Sequence, residues 1–261
     1  MTLSRQEEHH LREVARIGLG EVVQVFDGRG REAAARIERA RSREGSNPRR
    51  GRDAPARVVL RVLAPCARPP AAAALTLVPA IPKGNRMDLL VEKAAELGAA
   101  AILPILTERT VVRLDPRQRA ERRERWQRIA LAAAKQCGAA RVTDVLPIVE
   151  FAEALDFCRR VDLSLFGALA EGARPLHAVL AEQRARAPRA VGFLVGPEGD
   201  LTAAETKALG AAGAVAVSLG ARVLRTDTAA LYGLSVLAYE LLDRPQGPPA
   251  TSADKIEAAL G

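Results

Sequence analysis

Hydrophobic and polar residues follow two different rhythms along this chain. Glu21 to Phe26 alternates with period two among β-branched residues, and Asp27-Gly28-Arg29-Gly30 then supplies a turn. Val58 to Leu63 resumes strand-like alternation. Between them, residues 38–57 are rich in Arg, Gly, Ser and Pro with no apolar period, which predicts a flexible insert. Residues 1–70 therefore read as a small β-rich unit that ends in a Pro- and Ala-rich linker over 64–74. From Leu75 short apolar runs alternate with helical patterns, the signature of a parallel sheet. Strands are predicted over Leu75 to Ala80, Ala101 to Leu106, Val161 to Phe166, Ala190 to Val195 and Ala214 to Leu219. Helices are predicted over Asp88 to Leu97, Pro116 to Gln136 and Thr226 to Leu242, with a further one announced by the capping box Thr202-x-x-Glu205. This second unit spans 71–243, and a Pro- and Gly-rich tail occupies 244–261.

Composition narrows the function classes. Almost half the residues are hydrophobic, enough for a real core, but only 3% are aromatic, which argues against a base-stacking platform. The formal charge of +8 suits a polyanionic partner, although an Arg-rich composition spreads such charge everywhere. Cys66, Cys137 and Cys158 are far apart and form no CxxC pair, so neither a disulfide framework nor a metal site is supported and a reducing cytoplasm is expected. No apolar run reaches the length of a membrane span, and the polar start MTLSRQEEHH lacks a signal-like apolar stretch.

Two loops carry candidate chemistry, each leaving a buried strand at its carboxyl end, where open α/β sheets bind ligands. The first is Leu194-Val195-Gly196-Pro197-Glu198-Gly199-Asp200 and the second is Leu219-Gly220-Ala221-Arg222-Val223-Leu224-Arg225-Thr226-Asp227-Thr228. Glycines let main-chain amides approach a ligand, and Pro197 stiffens the turn between two of them. Neither loop is a GxGxxG fingerprint or a Walker A sequence, which disfavours dehydrogenases and NTPases.

Taken in order, the motifs KGNRMDLLVEKAAELGAAAILPILTERTVVR (83–113), RWQRIALAAAKQCGAARVTDVLP (125–147), LVGPEGDLTAAE (194–205) and LGARVLRTDTAALYGL (219–234) resemble the RsmE family, which methylates N3 of a uridine in 16S ribosomal RNA. LSRQEEHHLREVARIGLGEVVQVFDGRG (3–30) is similar to that family's PUA-like RNA-binding domain. The resemblance implies an α/β SPOUT-type parallel sheet with a C-terminal trefoil knot, a small N-terminal PUA-like β-barrel and a homodimer. It also implies S-adenosyl-L-methionine as cofactor, and 16S rRNA or the small ribosomal subunit as partner. By position, the cofactor pocket would be lined by Leu194, Gly196, Pro197, Glu198, Gly199, Leu219, Gly220, Val223, Leu224, Arg225 and Thr228.

Uridine N3 must lose a proton, so a base or a stabiliser of uracil charge is needed. Glu198 is a candidate for the first task, with capping of the following helix as its structural alternative. Arg225 is a candidate for stabilising O2 or O4 or gripping phosphate, with pairing to Asp227 or Glu198 as its alternative. Lys83 and Arg86 are candidate RNA contacts, while Glu108 and Arg109 share their family positions. His9-His10 matches a family pair expected to orient structure. The charged first half of the long helix, Arg117 to Arg128, is expected to be a solvated, salt-bridged face.

Departures from the family are an absent Arg-Phe-Phe-like first strand, the atypical insert, Asp200 in place of a Gly, and Asp227 in place of a Glu. Two other readings compete: a SPOUT ribose 2′-O-methyltransferase, disfavoured because Leu224 to Thr228 is not an S-L-N-V-like motif, and a non-catalytic RNA-binding ribosome-assembly protein.

Overall fold

A computed structural model describes residues 18–38, 58–66, 71–169, 172–183 and 185–242. His9-His10, positions 39–57 of the insert and the tail 244–261 lie outside the described residues. The chain divides into two units, with the break between the described residues 66 and 71.

Among the described residues the first unit contains an antiparallel sheet of β1 (Val22–Phe26), β2 (Glu32–Glu38) and β3 (Val59–Cys66), in that order. The turn between β1 and β2 is held by Asp27, whose carboxylate accepts from the main-chain N–H of Arg29 and Arg31 and from the Arg31 guanidinium. Those donors, the guanidinium first, hold the carboxyl down at about 2. The central strand β2 has no strand-like signature: EAAARIE is rich in a helix-favouring residue. Pairing on both edges and burial of Ala35 and Ile37 against Val58 and Leu60 override that local preference.

The second unit is a seven-stranded parallel sheet in the order β10-β12-β9-β11-β4-β5-β7. Its strands are β4 (Ala74–Pro79), β5 (Ala101–Ile102), β7 (Asp144–Val145), β9 (Leu163–Gly167), β10 (Arg174–Pro175), β11 (Ala190–Val195) and β12 (Val215–Ser218). The single strand expected over 101–106 is in fact two. Pro104, which lacks an N–H for the ladder, separates β5 from β6 (Ile105–Leu106), and β6 pairs instead with β8 (Val149–Glu150).

Strand side chains alternate between faces, so neighbours enter different cores. Phe193 joins one with Leu77, Leu90, Trp126 and Leu234, while Leu194 joins the other with Ala154, Cys158 and Leu209. Helices α1 (Arg86–Glu96), α2 (Pro116–Cys137), α4 (Leu176–Gln183) and α6 (Thr226–Leu241) supply the first core. The second takes α3 (Phe151–Arg160) and α5 (Ala203–Ala211). The sheet is thus covered on both faces, as buried parallel strands require.

The helix ends follow the sequence signals. Asp115 and Gln118 form a capping box before α2, with Pro116 at its first position and Gly138 left-handed at its end. Part of the charged face of α2 makes ion pairs, Arg117 with Glu121, Arg119 with Glu150 and Arg125 with Asp88. The Trp126 indole N–H also donates to Asp88.

Candidate functional site

Three loops leave the carboxyl ends of β9, β11 and β12, which stand side by side in the sheet. They surround a cleft of about 540 Å³. That volume lies within the range of small-molecule sites. Both loops singled out from sequence contribute to it, through Gly196, Pro197 and Glu198 from one and Leu219, Gly220, Val223, Leu224 and Arg225 from the other. Three expected residues do not line it. Leu194 is 1% exposed and points into the core beneath. Gly199 faces the Arg109 side chain. Thr228 is exposed on the first turn of α6, and Thr226 and Ala229 of that helix reach the cleft instead.

The third wall, Gly167, Ala168 and Leu169, carries no motif and is missed by sequence reasoning. Its one signal is a glycine at the end of an apolar strand. Asp200, Ser218, Ala221 and Arg222 also line the cleft.

Each wall has a local cause. After β11 the chain turns back, with Asp200 N–H donating to the Pro197 carbonyl at 2.9 Å. Asp200 adopts a left-handed conformation, φ 60°, which a short polar side chain tolerates, and its Oδ1 accepts from Leu201 N–H. Gly196 is buried, and a Cβ there would meet Leu201 Cγ at 3.1 Å. After β12 the backbone passes through Gly220 at φ +122°, where L side chains rarely go. Asp227, in the first turn of α6, follows the dipole preference for an acid there.

The loop after β11 is braced from outside. Thr202 and Glu205 close their capping box around the start of α5. The free oxygen of Glu205 accepts from the Glu108 N–H at 2.9 Å. The Arg109 guanidinium donates to the Gly199 carbonyl at 2.8 Å. Glu108 and Arg109 thus fasten this loop. Glu198 does not cap α5; its Oε1 accepts the Lys83 N–H at 3.0 Å. Arg225 pairs with neither Glu198 nor Asp227. That position is taken by Arg86, whose Nη1 lies 4.0 Å from Glu198 Oε1 and 3.9 Å from Asp227 Oδ1.

The cleft combines apolar side chains of Val, Leu and Ala with the charged Glu198, Asp200, Arg222 and Arg225, the mixture of apolar wall and a few polar groups found in small-molecule sites. Among the described residues no helix is long and apolar enough to cross a membrane, and no cluster of His, Cys, Asp and Glu is placed to hold a metal ion.

A parallel sheet whose glycine-bearing loops meet at its carboxyl edge is an α/β scaffold for a small-molecule site, and the family models give its class, an RNA methyltransferase with a PUA domain. Residues 69–238 match the RNA methyltransferase domain and residues 3–45 the RNA methyltransferase PUA domain. The chain belongs to the ribosomal RNA small subunit methyltransferase E family, being 33% identical to the Mycobacterium tuberculosis member over 88% of this chain and 83% of that one. It is also 33% identical to the Bacillus subtilis member, over 61% of this chain and 63% of the relative, so that match spans somewhat less than two thirds of that protein. Among solved structures it resembles ribosomal RNA small subunit methyltransferase E from Neisseria gonorrhoeae, bound to S-adenosyl methionine. That likeness has a TM-score of 0.74 and 32% identity, and covers 92% of this chain and 91% of that one.

Proposed function

We propose that this chain transfers a methyl group from S-adenosyl-L-methionine to N3 of a uridine in the 16S rRNA of the small ribosomal subunit. The observation that carries this reading is the convergence of the loops after β9, β11 and β12 on one cleft. Bound there, the cofactor supplies an electrophilic methyl on a sulfonium. N3 would gain that methyl and give up its proton, which needs an acceptor among this chain's residues or the solvent.

This chain's residues need mainly to position and to manage charge. Gly196, Gly220, Leu219, Val223 and Leu224 form the slot. Glu198, at its edge, is the candidate to accept or orient the N3 proton. Arg225, exposed on the rim, is the candidate to offset charge developing on uracil O2 or O4 or to hold a phosphate. Lys83, also exposed, is a candidate RNA contact.

We further propose a cytoplasmic homodimer with a knotted C-terminal segment. Tyr232 and Tyr239, seven residues apart on α6 and 50% and 72% exposed, support a face to be covered by a second copy.

The test is mass spectrometry of 16S rRNA after incubation with the protein and isotopically labelled cofactor. A label on the base at a uridine N3 is expected. A label on a ribose would favour a 2′-O-methyltransferase, and no label with intact RNA binding would favour an assembly factor.

A further inference from the structure

We propose that Arg86 is a positioning residue that ties the two glycine-bearing walls of the cleft together, rather than a contact for RNA phosphate. The proposal rests on the reading of the cleft as a cofactor site. Arg86 opens α1, where the helix dipole disfavours a cation. The charge is matched by carboxylates brought from two distant segments, Glu198 after β11 and Asp227 at the start of α6. One guanidinium therefore spans both walls. The Lys83 N–H donates to the same Glu198 oxygen, so residues 83–86 hold that carboxylate twice.

Asp227 Oδ1 is buried and accepts no hydrogen bond. A carboxylate oxygen in that setting is costly unless a cation opposes it, and Arg86 is the cation placed there. Two carboxylates against one guanidinium leave the trio net negative, which repels a phosphate. Arg222 and Arg225 differ: they line the cleft, are exposed, and form no ion pair among the described residues. They suit a phosphate; Arg86 suits the tie.

The test uses the full chain, with calorimetry for S-adenosylmethionine and binding of a 16S rRNA fragment across a salt series. Arg86→Met is expected to weaken cofactor binding about threefold to tenfold, in the lower part of the range for coupled neighbours. Its RNA affinity and salt slope should match those of the native protein. Asp227→Asn should weaken cofactor binding too. The double variant should be no weaker than the worse single one, because both cut the same tie. Arg86→Lys should recover part of the loss. Melting curves establish that each variant folds, and if Arg86→Met does not, Arg86→Lys and Asp227→Asn carry the same cycle.

Unchanged cofactor affinity in the Arg86 variants would overturn the proposal, as would losses that multiply in the double variant. So would an RNA salt slope reduced by about 0.7–0.9, the loss of one phosphate contact. If the native protein itself bound no cofactor in the calorimeter, the reading of the cleft would fall, and this proposal with it.

Discussion

Replacing Gly233 with Ala tests how tightly α6 sets the cleft. Gly233 lies midway along α6, facing β11, and a Cβ there would stand 2.2 Å from Cε1 and 2.3 Å from Cζ of Phe193. Carbon atoms rest at about 3.5–4.0 Å, so helix and ring would have to separate by roughly 1 Å or more. The ring has nowhere to go, since Phe193 is 1% exposed within the larger core. Overpacking a tight core costs about 1–3 kcal/mol, and a contact this short belongs at the upper end. Alanine recovers only about 0.8–1.0 kcal/mol of helix propensity. The net loss is about 2 kcal/mol, which lowers Tm by about 4–8 °C in a unit of this size. Because α6 starts at Thr226, which lines the cleft, the displaced helix carries a wall with it. Cofactor affinity should therefore fall alongside stability. Thermal unfolding paired with calorimetry reads both. A Gly233→Ala variant as stable as the native protein would refute the reasoning, because α6 could not then press on Phe193 as described.

Gly220→Val forces a branched side chain into a backbone at φ +122° and should cost about 1–3 kcal/mol of strain, with cofactor affinity in calorimetry falling about tenfold or more. An unchanged dissociation constant would reject the placement of that wall. Asp200→Gly should alter the melting temperature little, whereas Asp200→Ala, left-handed without a side-chain acceptor, should lower stability by about 1–2 kcal/mol; equal melting temperatures would contradict this. Asp162 accepts from the main-chain N–H of Ala190 and Arg189, and these bonds, the Ala190 one first, hold its carboxyl below the ordinary range. Its contribution is present above the unfolded-state value of about 3.9 and is lost as pH falls through the lower folded value, so Asp162→Asn should flatten the acid limb of a pH–stability curve below about pH 4. An unaltered acid limb would count against it. Burial pushes the Cys158 thiol up, so a thiol reagent at neutral pH should label exposed Cys137 and leave Cys158 unmodified until the protein unfolds; comparable labelling rates would be the contrary result.

What the sequence discloses is whatever local chemistry enforces. Capping boxes at Asp115 and Thr202, the stop at Gly138 and the apolar face of α1 are written in neighbouring residues, and the structure has each of them. The strand β2 is not, because nothing in EAAARIE favours extension until β1 and β3 pair with it. The break at Pro104 is legible in principle, yet the apolar run from Ala101 to Leu106 masks it. Long-range pairs are likewise hidden: no spacing rule connects Arg86 with Asp227, or Glu108 with Glu205. Only once α1, α5 and α6 are packed do these residues meet, and Arg86 then takes the ion-pair role that sequence adjacency would assign to Arg225.

The cleft shows the same limit most sharply. Two of its walls announce themselves through Gly196-Pro197 and Leu219-Gly220. The third, Gly167 to Leu169, becomes unavoidable when strand order is known: β9 lies between β11 and β12, so its outgoing loop must emerge between theirs. Sequence order places β9 before both and offers no hint of that interleaving. The loop also has little to encode, since a wall made of Gly, Ala and Leu acts by shape and by its main chain. Its exposed member, Leu169, at 61% exposure, contributes apolar surface to the cleft. The glycines differ in what they exclude: a Cβ at Gly167 would meet nothing within 4 Å, whereas one at Gly196 would meet Leu201 Cγ at 3.1 Å, so added volume disturbs the wall after β11 before it disturbs the wall after β9.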